Sequence, residues 1–258
     1  MKVVLFAGGL GTRISEETDV RPKPMVEIGG KPILWHIMKI YSQYGFNDFI
    51  VCLGYKGYVI KEYFMNYFLH NSDIKIDLEN NNMEILGTRS ENFKVTLVET
   101  GLNTKTAGRL QQVQKYIGNE DFMLTYGDGV CDVNIAELLA FHKANDKIAT
   151  VTSVQPDARF GGMDLLADGS VNSFREKAKA DAQWINGGFF VLKPEVFNYL
   201  QKDMTNTMWE DDPLEKLTAD NQLIAYKHNG FWKCMDALRD KIELNELWDA
   251  KKAPWKNW

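Results

Sequence analysis

The sequence predicts an α/β protein, built on a doubly wound, Rossmann-like and mostly parallel sheet that is followed by a small β-rich portion. Three observations predict it. Short apolar runs alternate with helix-length amphipathic segments through the first two thirds of the 258 residues, the rhythm of successive βαβ units with right-handed crossovers. Two of these runs, 3–7 and 122–126, end in the glycine-rich turns Gly8-Gly9-Leu10-Gly11 and Gly127-Asp128-Gly129. Both turns then fall at the carboxyl edge of the sheet, where such folds bind ligands. Beyond about residue 154 the alternation gives way to short strands and a hairpin signal.

Taken in order, 3–7 is apolar throughout, as a strand covered on both faces requires. Over 32–44, Leu34, Ile37, Met38, Tyr41 and Tyr44 recur at helical spacing, and Gly45 stands where the helix stops. The pattern continues with strands over 49–53, 95–98, 122–126 and 148–154 and helices over 57–69, 108–117 and 134–145. The asparagine-rich stretch 71–92 interrupts it and reads as an exposed insertion or short hairpin. Later, 163–166 and 171–174 flank Asp168-Gly169, a hairpin turn. The run 185–192 reads as one strand, 194–200 and 210–218 as short helices, and 223–228 and 231–235 as strands. A helix over 238–251 closes the chain, and no repeat or linker divides 1–258 into separate domains.

Composition narrows the class. Hydrophobic residues are 45% and charged residues 25% of the chain, ordinary values for a globular enzyme. A net charge of -5 argues against nucleic acid as a partner, which needs a basic face. Cys52, Cys131 and Cys234 lack metal-binding spacing and cannot all pair, which fits a reducing cytoplasm. No run approaches eighteen apolar residues and no signal peptide precedes the first strand, so no membrane association is expected.

The opening stretch carries most of the chemistry. Gly8, Gly9 and Gly11 lack the Cβ that would hold a ligand away from the backbone. Thr12 and Arg13 add a hydroxyl and a planar fork of donors suited to phosphate oxygens. Lys23, between Pro22 and Pro24, is a point charge on a stiffened backbone. Together they predict a nucleoside triphosphate site. A dinucleotide fingerprint is excluded because no third glycine follows Gly9-Leu10-Gly11 in register, and a P-loop because no Gly-Lys-Ser/Thr triplet is present.

Residues 7–13 and 21–25 match G-G-x-G-T-R…P-K-P, and Gly127-Asp128-Gly129, Glu176-Lys177 and Asn186-Gly-Gly-Phe-Phe190 follow in order across most of the chain. In this the sequence resembles the sugar-phosphate nucleotidylyltransferases. The stretches 21–36 and 54–64 and the terminal Ala253-Pro-Trp-Lys-Asn-Trp258 are similar to the cytidylyltransferase branch of that family. The resemblance implies the GT-A-like fold of nucleotide-diphospho-sugar transferases, with a nucleotide-binding portion over about 1–154 and a sugar-binding and C-terminal portion over about 155–258. It implies attack by the phosphate of glucose 1-phosphate on the α-phosphorus of CTP, assisted by Mg²⁺, giving CDP-glucose for dideoxysugar synthesis and pyrophosphate. The same reaction on another sugar 1-phosphate or another nucleoside triphosphate stays open. A homo-oligomer is implied too, with a hexamer among the family's assemblies.

The resemblance assigns roles. Arg13, Lys23 and Asp128 are the expected catalytic residues: Arg13 on the β- and γ-phosphates, Lys23 between the attacking phosphate and the α-phosphate. Leu5, Phe6 and Ala7 beneath Gly8, Gly9, Gly11 and Thr12, together with Gly127, cradle the nucleotide. Asp128 and Asp236 each follow an apolar strand, and the resemblance pairs them as ligands of one Mg²⁺, an ion that takes a few carboxylates, phosphates and waters. Thr104 and Arg109 are expected at the base, and a helix cap is the alternative for the 104–108 stretch. Gly161, or Gly162, with Glu176, Lys177 and Asn186 would take the sugar and its phosphate.

Around that last group the chain departs from the family pattern. Ala178 stands where proline usually follows Glu-Lys, and Asp157-Ala158 where Pro-Gly usually precedes Arg159-Phe160-Gly161. The histidines, His36, His70, His142 and His228, show no ligand spacing and read as surface positions on helices or strands. Tyr55, Tyr58, Tyr63, Phe64, Tyr67 and Phe68 form an aromatic patch that reads either as a subunit interface or as a packed helix face.

Overall fold

The computed structural model describes residues 1–156, 162–166, 168, 170–175, 183–200 and 202–258. Its centre is an eight-stranded sheet. Strand β1 (Val3–Ala7) lies between the parallel strands β2 (Asp48–Leu53) and β6 (Phe122–Tyr126), and β5 (Lys94–Glu99) continues parallel beyond β2. On the other side of β6 the antiparallel β12 (Phe190–Leu192) is inserted, then β8 (Ala149–Val154) and, parallel to it, β13 (Leu223–His228). The expected mostly parallel α/β sheet is therefore the observed one, with a single reversed line within it.

That reversed line corrects one expectation. Residues 185–192 do not form one strand: β11 (Ile185–Asn186) pairs Asn186 with Ser153, whereas β12 pairs Leu192 with Ala149. The register shifts by two residues between them, across a bulge in which Phe189 takes a left-handed φ of 48°. Bulges of this kind re-aim side chains beside functional sites, and Asn186 stands at this one.

Alternation along β1 divides the core. Val3, Leu5 and Ala7 face a layer built on α1 (Ile33–Ser42), while Val4 and Phe6 face another with Leu110 and Val113 of α3 (Thr106–Ile117), Phe197 and Trp209. Burying each large apolar side chain contributes about 1.5–3 kcal/mol, so a strand covered on both faces is firmly held where it delivers the glycine loop. The 71–92 insertion is an exposed antiparallel hairpin, β3 (Ser72–Asp77) with β4 (Asn82–Thr88), packed beside α2 (Gly57–His70). A second hairpin pairs β9 (Gly162–Leu165) with β10 (Val171–Arg175); Gly161, Glu176 and Lys177, expected at the sugar, lie outside the described residues.

Two histidines are not surface residues. His36 is fully buried, donating through Nε2 to the Ile28 carbonyl at 2.8 Å and accepting at Nδ1 from the Trp255 indole at 3.3 Å. Burial pushes its pKa down to about 4. His142 is equally buried and bonds Thr150 Oγ1 at 2.8 Å. Among the described residues no helix is long and apolar enough to cross a membrane.

Candidate active site

The site begins where β1 ends. Gly11 adopts φ 67°, a left-handed conformation that glycine enters without a Cβ penalty, and it leads into a short turn over Thr12–Ile14. Gly8 is required for another reason: a Cβ there would lie 2.1 Å from a guanidinium nitrogen of Arg109. Arg109, expected at the base, is thus held under the loop. Its four terminal N–H donors go to the carbonyls of Leu53 (2.8 Å), Gly8 (3.1 Å) and Leu102 (3.4 Å) and to the Thr100 hydroxyl (2.6 Å). It clamps the ends of β1, β2 and β5 together from below.

Above the loop lies a cleft of about 330 Å³, lined by Ala7, Gly9, Gly11, Thr12, Arg13 and Lys23 and closed by Thr106, Tyr126, Gly127 and Asp128. A second pocket of about 250 Å³, lined among others by Asn186, Trp232, Cys234 and Asp236, shares Arg13, Tyr126 and Asp128 with the first. The two open on either side of one charged cluster.

The cluster is assembled by a small ladder. Strand β7 (Gly129–Cys131) pairs antiparallel with β14 (Trp232–Cys234), setting Gly129 opposite Cys234, and Met235 donates to the Asp128 carbonyl at 2.9 Å. Asp128 and Asp236 flank the same end of that ladder and meet. Lys23, almost fully buried in the turn Lys23–Met25, donates to Asp128 at 2.7 Å and to Asp236 at 2.6 Å. Arg13, with its side chain 73% exposed, reaches the other oxygen of Asp236 at 2.8 Å. Burial opposes the charge on Lys23, but Asp128 and the bonds to both carboxylates outweigh it and hold its pKa above the usual lysine range. Burial likewise opposes ionisation of Asp236, and Lys23 and Arg13 overcome it, holding its pKa below the usual carboxylate range.

Cys234 completes the group. Its sulfur and one oxygen of each aspartate lie within 4.8 Å of one another. Burial and the nearby Asp128 push its pKa far up, so it stands as a neutral thiol hydrogen-bonded to Asp236. A space that accepts the Lys23 ammonium between two carboxylates is one that suits a cation.

Other expected positions divide. Leu5 lies wholly in the core, whereas Phe6 and Ala7 reach the cleft. Thr104 is buried and does not reach the lining, whereas Thr106, the first residue of α3, does. Asn186 lines the second pocket and donates to the Tyr126 hydroxyl at 3.0 Å. Sequence reasoning missed Thr106, Tyr126, Cys234 and Glu210, the last bonded to Tyr126 at 2.5 Å and to Thr106 at 2.8 Å. The only trace of Tyr126 was its place at a strand end before Gly127, and Glu210 was hidden in an acidic helix start.

Comparison with known proteins gives the chain's family. A family model described as nucleotidyl transferase matches residues 2–248. The chain is 56% identical over 259 residues, covering all of both chains, to a Salmonella typhimurium protein named glucose-1-phosphate cytidylyltransferase. It is 47% identical over 258 residues, again all of both, to a Bacillus subtilis protein named probable glucose-1-phosphate cytidylyltransferase. Among solved structures, HddC from Yersinia pseudotuberculosis superposes with a TM-score of 0.70 at 26% identity, over 96% of this chain and 99% of that one.

Proposed function

Since the chain belongs to the nucleotidyl transferase family, we propose that it transfers the cytidylyl group of CTP to glucose 1-phosphate, releasing pyrophosphate and CDP-glucose. The observation that carries this reading is the Lys23–Asp128–Asp236–Arg13 cluster, set where two pockets share a wall. One pocket offers a glycine loop to a triphosphate, and the other offers Asn186 and Trp232 to a sugar.

In the reaction a phosphate oxygen of the sugar 1-phosphate forms a bond to the α-phosphorus of CTP. The bond from that phosphorus to the bridging oxygen breaks, and the electron pair leaves with pyrophosphate. A phosphate monoester is nucleophilic near neutral pH, so the protein's task is to hold two polyanions in line and to balance charge as it moves to the leaving group. Within the cluster two cations stand against two carboxylates. Incoming phosphates compete for the cations: Arg13 turns its fork to the β- and γ-phosphates, and Lys23 moves toward the α-phosphate and the attacking phosphate. Asp128 and Asp236, left without cations, would then hold a divalent metal. Their hard oxygen donors suit Mg²⁺, which when bound supplies charge neutralisation and alignment at the α-phosphate. At the base, the longest bond of Arg109, to Leu102, is the one a cytosine carbonyl can most readily take over.

We infer also that copies of the chain associate. Hairpin β3–β4 exposes Ile76, Leu78, Met83 and Leu86, and the adjoining α2 exposes Met65 and Phe68. Apolar surface of this extent usually marks an interface. The aromatic patch itself divides, with Tyr63, Phe64 and Tyr67 packed inward and Tyr58 and Phe68 exposed.

The test is pyrophosphate release from panels of nucleoside triphosphates and sugar 1-phosphates, with the product identified by mass. CTP with glucose 1-phosphate should give the highest kcat/KM. Asp128→Asn and Arg13→Ala should each lower kcat about 100- to 1,000-fold. Near-normal turnover in either folded variant would overturn the assignment of that residue, and a different preferred pair would overturn the substrates.

A further inference from the structure

Tyr126 stands in the wall shared by the two pockets, and its surroundings form a directed chain of hydrogen bonds. Asn186 Nδ2 donates to the Tyr126 hydroxyl at 3.0 Å, and that hydroxyl donates to Glu210 Oε1 at 2.5 Å. A tyrosine phenol keeps its proton at neutral pH, and a carboxylate beside it can only accept that proton's bond. On the other side, the Trp209 backbone N–H donates to the Thr106 hydroxyl at 2.7 Å, and that hydroxyl donates to Glu210 Oε2 at 2.8 Å. Every arrow ends on Glu210. A carboxylate accepts and cannot donate, so it dictates the direction of both arms.

The direction has a consequence for Asn186. Because Tyr126 spends its proton on Glu210, its oxygen can only accept there, and Asn186 must turn its NH₂ toward it. The Asn186 Oδ1 is then left to accept from Gly188 N at 2.8 Å. Among the described residues, one N–H of Asn186 is left for a ligand in the second pocket. We propose that Glu210 is a positioning residue that fixes which groups of this wall donate and which accept, and so sets which sugar 1-phosphate is used. The inference rests on the nucleotidyl transfer reading above and names a specificity determinant within it. Its chemistry selects a sugar hydroxyl that can accept from the Asn186 amide in one fixed position on the ring.

Glu210→Gln keeps the size but offers one acceptor where two are needed. Tyr126→Phe is the second variant, since its ring stays packed against Phe6 and Phe190 and only the hydroxyl is lost. The experiment compares kcat/KM for glucose, galactose and mannose 1-phosphates at saturating CTP. Each variant should lose about 10- to 100-fold of the wild-type preference among the three, the scale of a hydrogen bond to a charged group. The double variant should lose no more than the worse single, because both act through one chain. A purely structural role would lower all three sugars equally and leave the ratio untouched. An unchanged ratio in an active enzyme, or additive losses in the double variant, overturns the inference while the reaction reading stands. A wild type that turns over no sugar 1-phosphate with CTP overturns both.

Discussion

Replacing Lys23 with methionine tests the cation-exchange mechanism through stability as well as rate. The substitution keeps an apolar stem but removes the ammonium that lies 2.7 Å from Asp128 and 2.6 Å from Asp236. The aspartate side chains are only 26% and 22% exposed. Removing one partner of a buried pair costs about 3–5 kcal/mol. Partial exposure and the remaining bond from Arg13 place this case near 3 kcal/mol, a fall in Tm of roughly 6–12 °C at about 2–4 °C per kcal/mol for a domain of this size. The sign with pH follows from Asp236, whose pKa is held below 3.8 by Lys23 and Arg13 against burial. Its contribution stands above that pH and is lost as pH falls through the folded value. Metal should reverse the damage. A divalent ion at about 100 times its Kd contributes roughly 2.7 kcal/mol, so Mg²⁺ should restore about 5–11 °C to the variant. In the wild type it must first displace the ammonium and should gain less. The assay is thermal unfolding with EDTA and with Mg²⁺, both without nucleotide, alongside kcat, which should fall about 100- to 1,000-fold in the variant. If Mg²⁺ raises the wild-type Tm as much as the variant's, or if the variant is not destabilised in EDTA, Lys23 and the metal do not share a place.

Two further outcomes follow from the fold. His36 is neutral when folded, with a pKa near 4 against 6.5 when unfolded, so its contribution is complete above pH 6.5 and is lost as pH falls through 4. The full shift is worth about 3 kcal/mol; urea midpoints should fall over this window, and less so in His36→Gln, whereas parallel pH profiles would refute the assignment. Leu78→Ser with Leu86→Ser should lower the mass measured by light scattering while leaving the monomer's helix content intact, and an unchanged mass would show that the hairpin does not hold copies together.

The strands of the sheet were legible because burial on both faces demands uninterrupted apolar runs. Val3–Ala7 and Phe122–Tyr126 appear in the structure with the bounds that pattern predicts. The hairpin in 71–92 was legible for the opposite reason, since its asparagines and charges break up the apolar run that a strand buried on both faces requires. What failed were features set by tertiary context. The run 185–192 looks continuous, but a left-handed Phe189 leaves no mark on hydrophobic pattern. His36 looks like a polar residue on a helix, and only its packing against Trp248, Trp255 and Trp258 buries it.

The site divides along the same line. Arg13 and Lys23 were readable as phosphate partners because their chemistry is local to a glycine loop. Their present partners were not readable, because the contact of Lys23 with Asp236 spans 213 residues and depends on the β7–β14 ladder. Arg109 shows the sharper lesson. A cation near a ligand loop invites a ligand role, but the pattern does not show that four carbonyl and hydroxyl oxygens also converge on this one, with only the longest of those bonds within easy exchange for a base. Those oxygens belong to strand ends that must lie close together for the nucleotide loop to form, and a buried guanidinium satisfies them where water cannot. A cation that also builds the loop and a cation that only reads its ligand are the same residue type at the same spacing. Only the direction of the acceptors separates them, and that direction is a property of the fold.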